Sequence, residues 1–236
     1  MNEIVAGKIK RALKRLGLVV YKGKHQRFTY DRENFPKARV NGVVFDVGAN
    51  IGQSAIWFSE TLDSPQIHAF EPLGSVYETL RRNTRGYGNI QTIHRALGEA
   101  KGVVEIPKIC SNDTQVIAVL GSFEQVNDSI DKESIVVTTV DNYAEELNIS
   151  HIDILKTDTE GYDLNVAKGA ERMLSEGSIS YFVSEVTIMR GDTGHTQFDD
   201  LRDYMKRFGY EVTSFLDLEY SPEGQLHYFN ALFEKF

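Results

Sequence analysis

VVFDVGANIGQSAIWFSE, residues 43–60, sets out a strand, a tight turn and a helix in direct succession. Val43, Val44 and Phe45 form a continuous apolar run of the kind found in a parallel strand buried on both faces, and the run stops at Asp46. Gly48, Gly52 and the small residues between them then predict a sharp turn into a helix whose core face is Ala55, Ile56 and Phe58. Asn50 or Ser54 is expected to satisfy first-turn amides that lack an intrahelical partner. Such a turn lets a ligand approach bare backbone.

The glycine spacing separates ligand classes. Dinucleotide sites use G-x-G-x-x-G, whose second glycine admits a pyrophosphate and whose third lets the helix pack closely. Here the pattern is Asp46-x-Gly48-x-x-x-Gly52. A carboxylate at the strand tip disfavours a pyrophosphate and suits a cationic ligand, such as the amino-acid end and sulfonium of S-adenosylmethionine. PQIHAFEP reads as a second strand ending at Glu71 and Pro72, where a carboxylate takes both hydroxyls of a ribose. That position serves either cofactor, so a nicotinamide-dependent oxidoreductase is the rival reading.

HIDILKTDTEGYD is the second chemical element. Ile152, Ile154 and Leu155 give a central strand, and Lys156, Asp158 and Glu160 alternate onto one face while the strand lasts. Ligands of open α/β sheets sit beyond the carboxyl ends of the strands, so Asp158 and Glu160 are expected to face the transferring group, as charge neutralisers, proton acceptors or metal ligands. The bland alternative pairs Lys156 with one carboxylate and leaves the other to cap the next helix. SISYFVSEVTIMRGDTGHT supplies a third strand with Glu185 near its end, then a turn-rich loop carrying His195. His195 is a candidate general base; as a loop residue it reads equally as a solvated surface histidine. A Mg2+ ion shared by Asp158 and Glu185 is the metal-assisted alternative.

Composition bounds the rest. The 236 residues with 41% hydrophobic content suffice for one α/β core, and the division expected is a basic lead-in over residues 1–40 and a catalytic domain over 41–236. A net charge of -8 argues against broad nucleic-acid binding, which needs a basic surface. The single cysteine, Cys110, excludes an intramolecular disulfide and suits a reducing compartment, and no secretion signal or spanning run is evident, so a cytoplasmic protein is expected. Ile4, Val5, Ile9, Leu13 and Leu16 at helical spacing, with Lys8, Lys10, Arg11, Lys14 and Arg15 between them, predict a basic amphipathic helix. It either packs on the domain or meets an anionic membrane or lipid-linked glycan. His25, Arg27, Tyr30 and Asp31 follow it as polar candidates for an acceptor pocket.

DVGANIGQSA, AFEP, RALGEAKG, LKTDTEGYDLNVAKGA and YFNALFEKF, in that order, resemble the FkbM-type methyltransferases, a branch of the class I S-adenosylmethionine-dependent enzymes. KTDTEGYD is the most specific piece. The resemblance implies a three-layer, Rossmann-like α/β fold whose mostly parallel seven-stranded sheet closes with an antiparallel C-terminal hairpin. It also implies S-adenosylmethionine as cofactor and methyl transfer to oxygen, on a sugar, a glycan or a secondary metabolite. The cofactor set is then Asp46, Gly48, Asn50, Gly52, Ser54, Glu71, Pro72, Arg95, Ala96 and Asp158, with Arg95 and Ala96 beside the adenine. Asp158, Glu160 and His195 are the catalytic candidates. A cofactor-binding interaction module without turnover is the third reading.

Overall fold

The computed structural model describes residues 32–107, 132–192, 194–221 and 223–236. The amphipathic segment expected over residues 1–17, the pocket candidates His25, Arg27, Tyr30 and Asp31, and Cys110 lie outside the described residues, as does the stretch 108–131.

The main sheet is built on β1 (Val43–Val47), flanked by β2 (Gln66–Phe70) and β3 (Ile90–Ile93) on one side and by β7 (Ile152–Thr157) and β8 (Ile179–Thr187) on the other. These five run parallel. β11 (Leu226–Lys235) adds antiparallel to β8, and β10 (Tyr210–Tyr220) antiparallel to β11, giving the order β10-β11-β8-β7-β1-β2-β3. The expected mostly parallel sheet with a C-terminal hairpin is therefore present, and the two-residue β9 (Thr196–Gln197) extends it beside β8.

Every residue of β7 is buried, which explains why HIDILKT reads as a central strand. Alternation along β1 and β7 sends Val44 and Ile154 to one face and Phe45 and Leu155 to the other. The first face is covered by α1 (Gln53–Thr61) and α2 (Gly74–Thr84) through Ala55, Phe58 and Leu80. The second packs against α3 (Val140–Glu146), α4 (Asp163–Lys168), α5 (Glu171–Glu176) and α6 (Phe198–Lys206) through Tyr143, Val166, Met173 and Leu201. Phe35, ahead of β1, is fully buried against Phe58 and Tyr181, so the core also takes residues from the lead-in segment.

At the amino end of the sheet Arg39 clasps buried Asp153 through Nε and Nη2 at 2.9 and 2.8 Å. The backbone amides of Arg39 and Val43 donate to the same carboxylate. Burial pushes the Asp153 carboxyl up, but these donors outweigh it and hold it below the usual range. Thr139 caps α3 by accepting from the Asn142 amide, and Asp141 accepts from the Arg172 and Met173 amides at the start of α5.

β4 (Ala96–Leu97), β5 (Gly102–Pro107) and β6 (Lys132–Thr138) leave the main layer and form a separate three-stranded sheet. Leu73 and Ile135 join it to the start of α2, and Glu133 Oε2 accepts from the Gly74 amide at 3.2 Å. The small sheet thus stands beside the loop that carries Glu71.

Candidate active site at the strand tips

Parallel strands bring the carboxyl ends of β1, β2, β7 and β8 to one edge of the sheet. The turn after β1 is held there by its neighbours: the Gly48 and Ala49 amides both donate to Phe70 O, and the Asp158 amide donates to Val47 O. Gly48 has φ +77, and a Cβ placed on it would lie 1.9 Å from the Asp158 carbonyl oxygen. Two loops meet there with no room for a side chain. Gly52, at φ +95, faces Leu80 and Thr84 in the same way.

Glu71 stands at the tip of β2 and is 5% exposed. Its Oε2 accepts from the Asn50 amide at 3.1 Å and its Oε1 from the Leu73 amide at 2.9 Å, leaving a lone pair on each oxygen. Burial pushes this carboxyl up to about 7 despite those two donors. Asn50 itself is left-handed, at φ +49, and its Oδ1 is buried with no hydrogen-bond partner among the described residues.

Asp46 is still inside β1 and fully buried, so its charge is already met within the sheet. It stands in register with Lys156 on β7, whose Nζ lies 3.5 Å from Oδ1. Ser54 Oγ donates to Oδ2 at 2.6 Å, so Ser54 serves Asp46 rather than capping α1, and Gly52 occupies the N-cap position. Asp46 Oδ1 nevertheless accepts no hydrogen bond from the described residues. Together with Asn50 Oδ1 and the Glu71 lone pairs, it leaves buried acceptors around the Gly48 turn that a nucleoside bearing a cationic amino-acid end fits.

The same Lys156 reaches Asp158 Oδ2 at 3.3 Å, so the bland reading of that pair holds in part. Burial works against the ammonium, but Asp158, Asp46 and Glu185 outweigh it and raise its pKa. Glu160 is no longer on the strand: β7 ends at Thr157, and Glu160 turns left-handed at φ +52. It caps no helix. Burial, with Asp158, Asp163 and Asp192 nearby, pushes its carboxyl up to about 7. The N-cap position of α4 is Tyr162, with no side-chain cap; buried Asp163 accepts from the Thr159 amide and from Thr196 Oγ1, and its own amide donates to Thr196 Oγ1.

Arg95 pairs with Glu146 on α3 at 3.2 Å, while Ala96 packs among the residues that join the small sheet to α2. Pro72 is half-buried between Glu71 and Leu73. His94 stacks on Tyr77 at 4.6 Å, an ordinary structural contact.

Of the two residues expected to share a metal, Asp158 is held by Lys156, and Glu185 lies 3.4 Å from His195 Nε2. Burial, then Asp158, pushes Glu185 up to about 10. The His195 Nδ1 meets Asp192 Oδ2 at 2.9 Å, and His227 Nε2 meets the same oxygen at 3.1 Å. Both nitrogens of His195 thus face carboxylates, and its ring stacks on Tyr228 at 4.6 Å. Asp192 was legible only as a turn residue three positions ahead of His195, and His227 had no signal at all, since it arrives on β11 from a remote stretch.

Among the described residues no helix is long and apolar enough to cross a membrane. The profile of the Methyltransferase FkbM domain matches residues 46–212. The hexuronic acid methyltransferase AglP of Haloferax volcanii is 26% identical over 153 residues, which are 64% of this chain and 58% of that protein, so the chain spans under two thirds of this relative's length. The crystal structure of an FkbM methyltransferase from Methylobacillus flagellatus superposes with a TM-score of 0.58 at 19% identity, covering 89% of this chain and 47% of that one. Fibrillarin from Aeropyrum pernix, solved with natively bound S-adenosyl-L-methionine, superposes at 0.50 with 12% identity, covering 84% of this chain and 68% of its own. Since the domain match takes in the Gly48 turn, Glu71, the Lys156–Asp158 strand tip and the His195 loop, the chain belongs to the FkbM methyltransferase family.

Proposed function

We propose that this chain binds S-adenosylmethionine across the tips of β1 and β2 and transfers its methyl group to a hydroxyl oxygen of a sugar, with uronic acid residues of a glycan as the first class to test. Glu71 carries the cofactor half of that reading: it is buried at the tip of β2, oriented by two backbone amides, and keeps the lone pairs that a ribose diol would fill. The relative that acts on hexuronic acid supports the acceptor class.

When bound, the cofactor supplies an activated methyl group on a sulfonium. The chain has to hold the acceptor oxygen in line with it and remove one proton. Orientation contributes most, since well-aligned intramolecular reactions reach effective molarities of about 10⁵ to 10⁸ M. The acceptor O–H bond gives its proton to a base, its electron pair forms the O–C bond, and the C–S pair returns to sulfur. We assign the base to Glu160, which lies just beyond the strand tip in a half-buried acidic environment that keeps it near neutrality. Asp158, anchored by Lys156, fixes the loop beside Gly48 and would lend negative charge to the cationic end of a bound cofactor. His195 is bound on both sides by carboxylates and is less suited to the base role first considered for it.

Calorimetry with S-adenosylmethionine and NAD in parallel tests the cofactor. Methyl transfer from labelled cofactor to uronic acids and neutral sugars tests the acceptor. Binding of NAD alone would restore the oxidoreductase reading, and cofactor binding with no acceptor in a broad panel would favour an interaction module.

A further inference from the structure

We propose that Asp192, His195 and His227 form a site for one divalent first-row transition ion, with Zn2+ as the reference ligand, on the acceptor side of the cleft. The ligand atoms are Asp192 Oδ2, His195 Nδ1 and His227 Nε2, which lie within 4.8 Å of one another. Two come from the loop after β8 and one from the returning strand β11, so the hairpin that closes the sheet completes the set.

The spacing suits an ion. With metal–ligand bonds of about 2.0–2.2 Å, adjacent ligands of an octahedral or tetrahedral centre stand about 3.0–3.5 Å apart. Asp192 Oδ2 is 2.9 Å from His195 Nδ1 and 3.1 Å from His227 Nε2. The other oxygen of Asp192 is fixed by the Gly194 amide at 2.8 Å, which aims the carboxylate at the two imidazoles.

Glu185 provides an independent observation. A histidine that binds a metal through one nitrogen hands its other N–H to a carboxylate or carbonyl, which sets the tautomer. Glu185 Oε2 lies 3.4 Å from His195 Nε2, on the side of the ring away from Asp192, and Tyr228 stacks on the ring face.

Two imidazoles and one carboxylate suit zinc, iron, cobalt or nickel, whereas magnesium prefers an all-oxygen octahedron with retained waters. Three protein ligands leave coordination positions for a substrate, as catalytic centres do. The ion's role rests on the sugar-methylation reading above: the acceptor hydroxyl and a neighbouring sugar oxygen occupy those positions, and the hydroxyl gives up its proton to Glu160 more easily. The ion site itself does not depend on that reading.

The test uses the full chain, stripped with chelator and titrated with Zn2+ by calorimetry and with Co2+ by visible absorption. One equivalent of Zn2+ is expected, with Co2+ bands that Zn2+ abolishes. Asp192→Asn and His227→Gln each weaken Zn2+ binding by more than about tenfold, and Glu185→Gln by about tenfold, the scale on which outer carboxylates act. Unchanged far-UV circular dichroism and S-adenosylmethionine binding in each variant establish that it folds. Absence of saturable Zn2+ uptake in the native sequence overturns the proposal, as does uptake that survives both ligand substitutions. Zinc binding with no methyl transfer to any sugar would leave the site standing and sink the functional reading instead.

Discussion

Asp46 and Lys156 face each other in register on adjacent strands, both buried, with Nζ 3.5 Å from Oδ1. The pair joins the tips of β1 and β7, and Lys156 extends the link to Asp158. The strand tips are therefore tied together by an internal charge pair. Removing one partner strands the other in a dry site.

Lys156→Met is accordingly expected to destabilise the fold by about 3–5 kcal/mol, because Asp46 is left charged and buried. Adding Asp46→Asn should recover much of that loss. Urea unfolding of both single variants and the double variant measures it; additive losses would show that the two side chains do not compensate each other.

Glu71 makes cofactor affinity depend on pH. Its folded pKa of about 7 lies above the ordinary carboxyl value of 4.5. Its contribution to the stability of the free protein is thus fully present below pH 4.5 and is lost as pH rises through 7. A ribose diol donates to the carboxylate, so binding favours the ionised form and reverses that sign. Affinity for S-adenosylmethionine should rise about tenfold between pH 6 and 8, and Glu71→Gln should flatten the profile while weakening binding. A wild-type profile already flat over that interval would place the diol elsewhere.

Gly48→Ala tests the meeting of the two loops. The new Cβ would fall 1.9 Å from the Asp158 carbonyl oxygen at a left-handed φ. A cost of about 2–4 kcal/mol is expected, with cofactor affinity reduced as the loops separate. Thermal unfolding and calorimetry on the same preparation read both; an unchanged melting temperature would contradict the packing.

Glu160→Gln should lower kcat by about 10² to 10⁴, with the cofactor dissociation constant changed less than about twofold, because a base acts in the transition state. Single-turnover methyl transfer is the measurement. Full activity in this variant would return the base role to Asp158 or His195.

The sequence by itself determined the sheet's centre. VVFDV and IDILKT are buried strands because every second residue serves one face and both faces are apolar, and the Gly48 and Gly52 spacing announced the turn that follows. Glu71 was legible as a strand-tip carboxylate because strand length fixes where a tip falls. Tertiary structure alone decided how the charges are used. Asp46 read as a free anion because its partner, Lys156, is remote in sequence and reaches it only through strand register. Ser54 read as a cap because its bond to Asp46 depends on how α1 packs back on β1. Asp192, His195 and His227 meet only because β11 returns antiparallel beside β8, and no local spacing encodes that return. Periodicity is a property of the chain, whereas the pairing of charges belongs to the register between strands.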